Sequence, residues 1–270
     1  MEKLSVQEQL KKAPQRWWYY LIIAVIVLGI FLWSMTALQF SPLSARGTAI
    51  ALNIFKGIFH PDLSFLFDIS SQGVLYMLVQ TIAIAVLGTL IGALIAVPLS
   101  FLSAPNIMPR PIAYAIRFII MVIRTVPPFV YGLMFIRVVG PSPSAGVLTL
   151  ALMSIGMVCK LFTETIEDLD TGILESLDAV GCTLFQKIRF GIIPQLSADF
   201  YSILLYRFDM NLRDASILGL VGAGGIGAPL IFAMNAYQWS QVGSILIGLF
   251  VLILAVESIS SRIRNRLMKG

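Results

Sequence analysis

The sequence predicts an all-α integral membrane protein with about six transmembrane helices. Composition is the first ground: of 270 residues, 58% are apolar and 12% charged, where soluble domains carry roughly half and a quarter. Distribution is the second. No charged residue occurs between Arg16 and Arg46, between Asp68 and Arg110, or between Asp214 and Glu257. Each window exceeds the roughly 20 apolar residues that cross a bilayer, and none offers a polar face to water. The third ground is the placing of the basic residues, which collect on one side of the expected bundle.

The spans are expected at about 18–38, 76–103, 113–138, 146–164, 199–220 and 241–259. A basic arm, residues 1–17, precedes the first and holds Lys3, Lys11, Lys12 and Arg16. A cleaved signal peptide also begins this way. The apolar run from Leu21 to Leu38 is longer than a typical signal core, however, and no A-x-A site follows it, so an uncleaved span is expected. Trp17, Trp18, Tyr19 and Tyr20 introduce it with rings suited to the headgroup layer. In the second span Gly88, Gly92 and Ala96 recur every four residues, a seam on which a neighbouring helix can approach closely. Residues 39–75 form an outer loop with room for a surface helix.

Six spans put both termini on one side. That side receives the N-terminal arm and the tail, residues 261–270, with Arg262, Arg264, Arg266 and Lys269. It also receives Arg110 and Arg117 after the second span, and Lys160, Lys187 and Arg189 between the fourth and fifth. The other side has Arg46 and Lys56. By the positive-inside rule the basic side is cytoplasmic. The expectation is a multi-pass bacterial inner-membrane protein, one membrane domain over 18–260, both termini cytoplasmic. Its basic balance needs no nucleic acid.

The most unusual stretch lies between the fourth and fifth spans, at about 164–194. Six of the chain's 14 acids fall there: Glu164, Glu167, Asp168, Asp170, Glu175 and Asp178. A glycine follows, then an apolar stripe of Leu184, Phe185, Ile188 and Ile192, then Pro194. Helix, glycine break, helix and proline stop is the structural reading. A short amphipathic helix on the cytoplasmic side needs a groove to cover its apolar face.

Here Glu175-Ser-Leu-Asp-Ala-Val-Gly181, nine residues, then Gly191-Ile-Ile-Pro194 resembles the EAA loop of ABC-importer permeases. That pattern reads E-A-A, three residues, G, nine residues, I-x-L-P. Glu175, Gly181 and Pro194 match in spacing and Ile193 stands for leucine. Ser176, Leu177 and Gly191 depart from the pattern. The resemblance implies a type I ABC-importer permease fold, with the hairpin forming coupling helices framed by Glu175, Asp178, Gly181 and Pro194. It implies a partner dimer of ABC ATPase subunits that bind the ATP and magnesium, a second permease copy, and a periplasmic or extracellular substrate-binding protein. The chain itself is expected to bind no cofactor and to be no enzyme.

Two further stretches narrow the resemblance. Tyr206-Arg-Phe-Asp-Met-Asn-Leu-Arg213 followed by Ile217 to Gly227, and Arg124-Thr-Val-Pro-Pro128, resemble permeases of phosphonate importers. The implied substrates are phosphonates or related phosphorus oxyanions such as phosphite or phosphate esters. Charges in the fifth span (Arg207, Asp209, Arg213 and Asp214) each cost about 2.5–3.5 kcal/mol on insertion scales, so each should face a partner or a wet cavity. Asp209 and Arg213 have the favourable order for an ion pair along one helix. Arg207 and Arg124 have no acid three or four residues away. Their guanidinium forks suit phosphonate oxygens, with Asn211 a neutral donor nearby; interhelical salt bridging is the other use of such residues.

Other motifs mislead. Gly222-Ala-Gly224-Gly225-Ile-Gly227 satisfies GxGxxG, but apolar spans flank it and no acid follows until Glu257, so a dinucleotide site is excluded. It reads as a flexible outer turn and gate hinge. Gly140 to Gly146 has phosphate-loop glycine spacing without the Lys-Ser/Thr that must follow. Asp170-Thr-Gly172 lacks the second carboxylate and β-rich fold of an aspartic protease. Two cysteines and one histidine give no metal spacing. A stand-alone secondary transporter or channel is the alternative, but it would leave the acidic hairpin without a purpose and favour inverted repeats that are not seen. A membrane enzyme lacks a catalytic constellation.

Overall fold

The structure, a computed structural model, describes residues 17–37 and 45–267. The basic arm before Trp17 and the last three residues of the tail lie outside the described residues. The chain divides into two units, residues 1–50 and 51–270. In the first, α1 (Trp17–Ala37) is apolar on every side, as a helix solvated by lipid must be.

α2 (Ala45–Phe59) runs across residue 50. In the second unit it is followed by α3 (Leu63–Leu66), α4 (Val74–Ser103), α5 (Arg110–Thr125), α6 (Pro128–Val139) and α7 (Pro143–Glu167). Then come α8 (Thr171–Ala179), α9 (Leu184–Gln186), a π-turn (Lys187–Ile192), α10 (Ile193–Gly219), α11 (Gly227–Asn235) and α12 (Trp239–Leu267). The described chain contains no strand. α1 and α4 match their predicted spans to within two residues, whereas α7, α10 and α12 run about a turn or more beyond theirs, because hydropathy marks the apolar middle of a helix and not its wet ends.

α4 and α7 form the central pair. A Cβ on Gly88 would lie 2.5 Å from Leu150 Cβ, and one on Gly92 would lie 2.7 Å from the Ala151 carbonyl oxygen and closer still to Ser154 Cβ. The predicted glycine seam is therefore the crossing itself. α10 packs on both helices, with Phe200 stacked on Phe162 at 4.2 Å. The loop before α4 is tied to α12: Ser244 Oγ donates to the Asp62 carbonyl oxygen at 2.8 Å, and Gly57 and Gly243 meet backbone to backbone.

The expected third span is broken. α5 and α6 meet at 85°, with Val126 extended (ψ 125) before Pro127 and Pro128. Proline disfavours helix in the residue before it and has no N–H to continue the ladder, so this pair ends one helix and starts the next. Four described helices, α1, α4, α7 and α12, are long and apolar enough to cross a bilayer, and the broken pair makes a fifth if taken as one span. α10 has the length, 27 residues, but carries the charges that an apolarity criterion rejects.

Candidate functional site

α8 opens on Asp170, whose carboxylate accepts the Gly172 N–H at 2.9 Å. It closes in a Schellman turn: Cys182 N–H donates to the Leu177 carbonyl at 3.0 Å, Gly181 N–H donates to Asp178 at 2.9 Å, and Gly181 itself sits at φ +76. Only glycine adopts that conformation at no cost. Gln186 then accepts the Thr183 N–H at 2.8 Å to start the return helix, and Pro194 falls in the first turn of α10, where its missing N–H is harmless.

The acidic cluster is mostly occupied within the chain. Glu164 pairs with Lys160 at 3.1 Å, Glu167 with Arg117, and Asp178 with Lys187. Asp168 and Glu175 are exposed. The apolar stripe divides. Ile192 is fully buried with Phe101, Ile166 and Leu196, and Ile188 packs against that cluster. Leu184 and Phe185 are instead exposed, as is Val180 just before the Gly181 turn, with Phe185 69% and Val180 76% exposed. What remains uncovered at the tip is an apolar patch with Glu175 on the same hairpin.

The fifth-span charges separate. Arg207, only 2% exposed, donates from Nε to Ser154 Oγ at 3.0 Å and from Nη1 to Met157 Sδ at 3.3 Å. Asn211 Nδ2 donates to Thr89 Oγ1 at 2.7 Å and to the same Ser154 oxygen at 2.8 Å. Asn211 thus joins α10 to α4 through Thr89 and to α7 through Ser154, and Ser154 is the acceptor it shares with Arg207. Among the described residues, Arg207 Nη2 and Asn211 Oδ1 are buried without a hydrogen-bond partner. Neither Ser154 nor Thr89 is singled out by sequence reasoning; a polar residue in an otherwise apolar span is the signal that marks them. Arg213 bonds to Glu257 of α12 at 3.1 Å, not to Asp209, and Asp209 is turned inward beside Ser260. The expected intrahelical ion pair is therefore replaced by one that crosses to the last helix.

Arg124 lies elsewhere, exposed on the opposite side of α7 from Arg207, its stem across Gly156. The structure does not bring the two arginines together. The glycine turn after α10 has Gly222, Gly224 and Gly225 at φ +95, +80 and +76, with Gly227 starting α11. It is packed and not loose: Gly225 N–H donates to Gln80 and Ile226 N–H to Thr81 Oγ1, both at 3.0 Å.

The acceptor shared by Arg207 and Asn211 makes a prediction. Arg207→Met, similar in length and without charge, is expected to keep or raise the melting temperature of the purified protein, because it removes an orphaned buried nitrogen. Ser154→Ala, which strands Arg207 Nε, is expected to lose about 1–3 kcal/mol. Thermal unfolding in detergent checks both.

A family model described as binding-protein-dependent transport system inner membrane component matches residues 96–268. A phosphite transport system permease protein of Stutzerimonas stutzeri is 30% identical over 253 residues, covering 92% of this chain and 90% of that protein. A phosphate-import permease protein of Mycolicibacterium smegmatis is 32% identical over 245 residues, 90% of this chain, which spans 45% of that protein's length. Among solved structures, an inward-facing methionine ABC transporter aligns with a TM-score of 0.62 at 19% identity, covering 72% of this chain and 95% of that one. An amino acid ABC transporter aligns at 0.61 and 24%, covering 72% and 93%. At such identities the structures show the fold alone. By its family match and its fold, the chain belongs to the binding-protein-dependent transport inner membrane components, with the type I permease architecture of ABC importers.

Proposed function

We propose that this chain is the permease subunit of an ATP-binding-cassette importer that moves phosphonate, phosphite or a related phosphorus oxyanion into the cytoplasm. One observation carries the reading: the hairpin over 164–194 ends in a patch of Val180, Leu184 and Phe185 that nothing in the described chain covers. Exposed apolar side chains beside a fixed turn are what a groove on another protein buries. The partner of that patch is an ATPase subunit, which holds the nucleotide and magnesium. One hairpin per chain and two ATPase subunits make the permease a homodimer, fed by a substrate-binding protein. The hairpin, the arm and the tail then face the cytoplasm, in keeping with the basic residues there. The relatives named for phosphite and phosphate transport support the substrate class. Arg207 and Asn211 tie the helices that the hairpin moves, and the packed glycine turn is the outer gate.

The test is reconstitution with the ATPase subunit and the binding protein. ATP-dependent uptake of phosphonate into proteoliposomes is expected, and uptake by the chain alone under a proton gradient would instead establish a secondary transporter. Gly181→Asp has open space around it but must hold a left-handed backbone at about 1–2 kcal/mol. It is expected to leave the protein inserted while ATP hydrolysis continues and uptake falls. Uptake and hydrolysis measured together check this, and unchanged uptake counts against the coupling role.

A further inference from the structure

A groove between α5 and α7, at the hairpin end of the bundle, has a volume of about 220 Å³ and is lined by Arg117, Arg124, Lys160, Thr163, Glu164 and Glu167. We propose that it is a substrate subsite that receives one small tetrahedral oxyanion, with Arg124 as its principal ligand; this rests on the importer reading above and locates a binding step within it.

Both carboxylates of the groove are already matched, Glu167 by Arg117 and Glu164 by Lys160. Among the described residues Arg124 has no hydrogen bond or ion pair. Three cations against two carboxylates leave the groove one positive charge in excess, and that charge sits on the arginine. A guanidinium in an otherwise apolar bundle needs an anion or water, and its planar fork presents parallel donors to two oxygens of a phosphoryl group.

A doubly charged oxyanion asks for a second cation. Lys160 supplies it, because its bond to Glu164 links neighbouring turns of one helix with both side chains about half exposed, a weak interaction that is readily exchanged. Arg117 is held more firmly, donating from Nε to the Ser103 carbonyl at 2.8 Å as well as to Glu167. Arg124 is placed by Gly156: a Cβ there would lie 2.7 Å from Arg124 Cγ, so the glycine lets the arginine lie across α7 into the groove. Arg124 also stands just before the break at Val126 and Pro127, so a change in that bend moves the ligand directly.

The experiment uses the full chain in nanodiscs of phosphatidylcholine alone, titrated with methylphosphonate and read by saturation transfer to the methyl protons. Wild type is expected to bind. Arg124→Gln is expected to weaken binding about tenfold or more, Arg124→Lys to retain part of it, and Gly156→Ala to fall between while the charge is kept. Arg137→Gln, on an exposed arginine outside the groove, should match wild type. Wild-type affinity in Arg124→Gln overturns the proposal. So does Arg124-dependent retention of phosphatidylglycerol, in nanodiscs that contain it, with no methylphosphonate signal in its absence. The two readings fail separately. ATP-driven uptake without Arg124-dependent binding sinks the groove alone, and Arg124-dependent binding without ATP-driven uptake sinks the importer reading alone.

Discussion

Gly92→Val is expected to abolish most of the folded protein. The Cβ it adds would lie 2.7 Å from the Ala151 carbonyl oxygen and within contact distance of Ser154 Cβ. Neither is the free end of a flexible side chain, so only separation of α4 from α7 relieves the clash. Overpacking a core costs typically about 1–3 kcal/mol, occasionally more. Here the displaced neighbour is Ser154, which also accepts from Arg207 and Asn211, so the loss extends to those bonds. Gly92→Ala is expected to be milder but still destabilising, since it lacks the branched methyls. Leu94→Ala, on an exposed face of the same helix and itself 76% exposed, should be nearly neutral. Fluorescence-detected gel filtration followed by a melting curve ranks the three, and a wild-type melt for Gly92→Val would mean that the helices do not cross at this glycine.

The first, second and last of the expected spans were legible in the sequence because charge-free windows longer than a bilayer admit few other folds. The seam at Gly88 and Gly92 was legible for a related reason: small residues four apart leave a groove whatever helix fills it. The break at Pro127 and Pro128 was written in the sequence as well. A hydropathy window that sums over some twenty residues hides it, because it weighs side chains and ignores a lost backbone donor. The charges of α10 were harder. A sequence offers Arg213 only its helical neighbours, and its partner Glu257 stands 44 positions away. The burial of Arg207 depends on which face of α10 turns towards Ser154, and a helix carrying charge on several sides does not declare that face. The acidic hairpin was legible in composition, while the fate of its acids was not. Lys160, Arg117 and Lys187 take up three of them from positions near in space, which leaves the exposed apolar tip as the feature a partner meets.

The departures of the hairpin from the EAA pattern make the second large prediction. Where the pattern has an alanine and an isoleucine, this chain has Leu177 and Gly191, and the two face each other: a Cβ on Gly191 would collide with Leu177 Cδ1. Large and small have changed places across one contact between α8 and the π-turn. Gly191→Ile alone overpacks a buried position, at about 1–3 kcal/mol, and should push α8 away from its support. Leu177→Ala alone opens a gap at a half-buried site and loosens the same contact. Together they restore the filled volume with the residues reversed, so the effects should fail to add by about 0.5–3 kcal/mol. With the ATPase subunit present, each single variant is expected to lose roughly tenfold in ATP-driven uptake, while the double variant recovers most of it. Additive losses would mean that α8 and the π-turn move independently. The hairpin would then be unable to carry a displacement of its tip into α10, because a push on α8 reaches the spanning helix only through contacts that hold the two halves together.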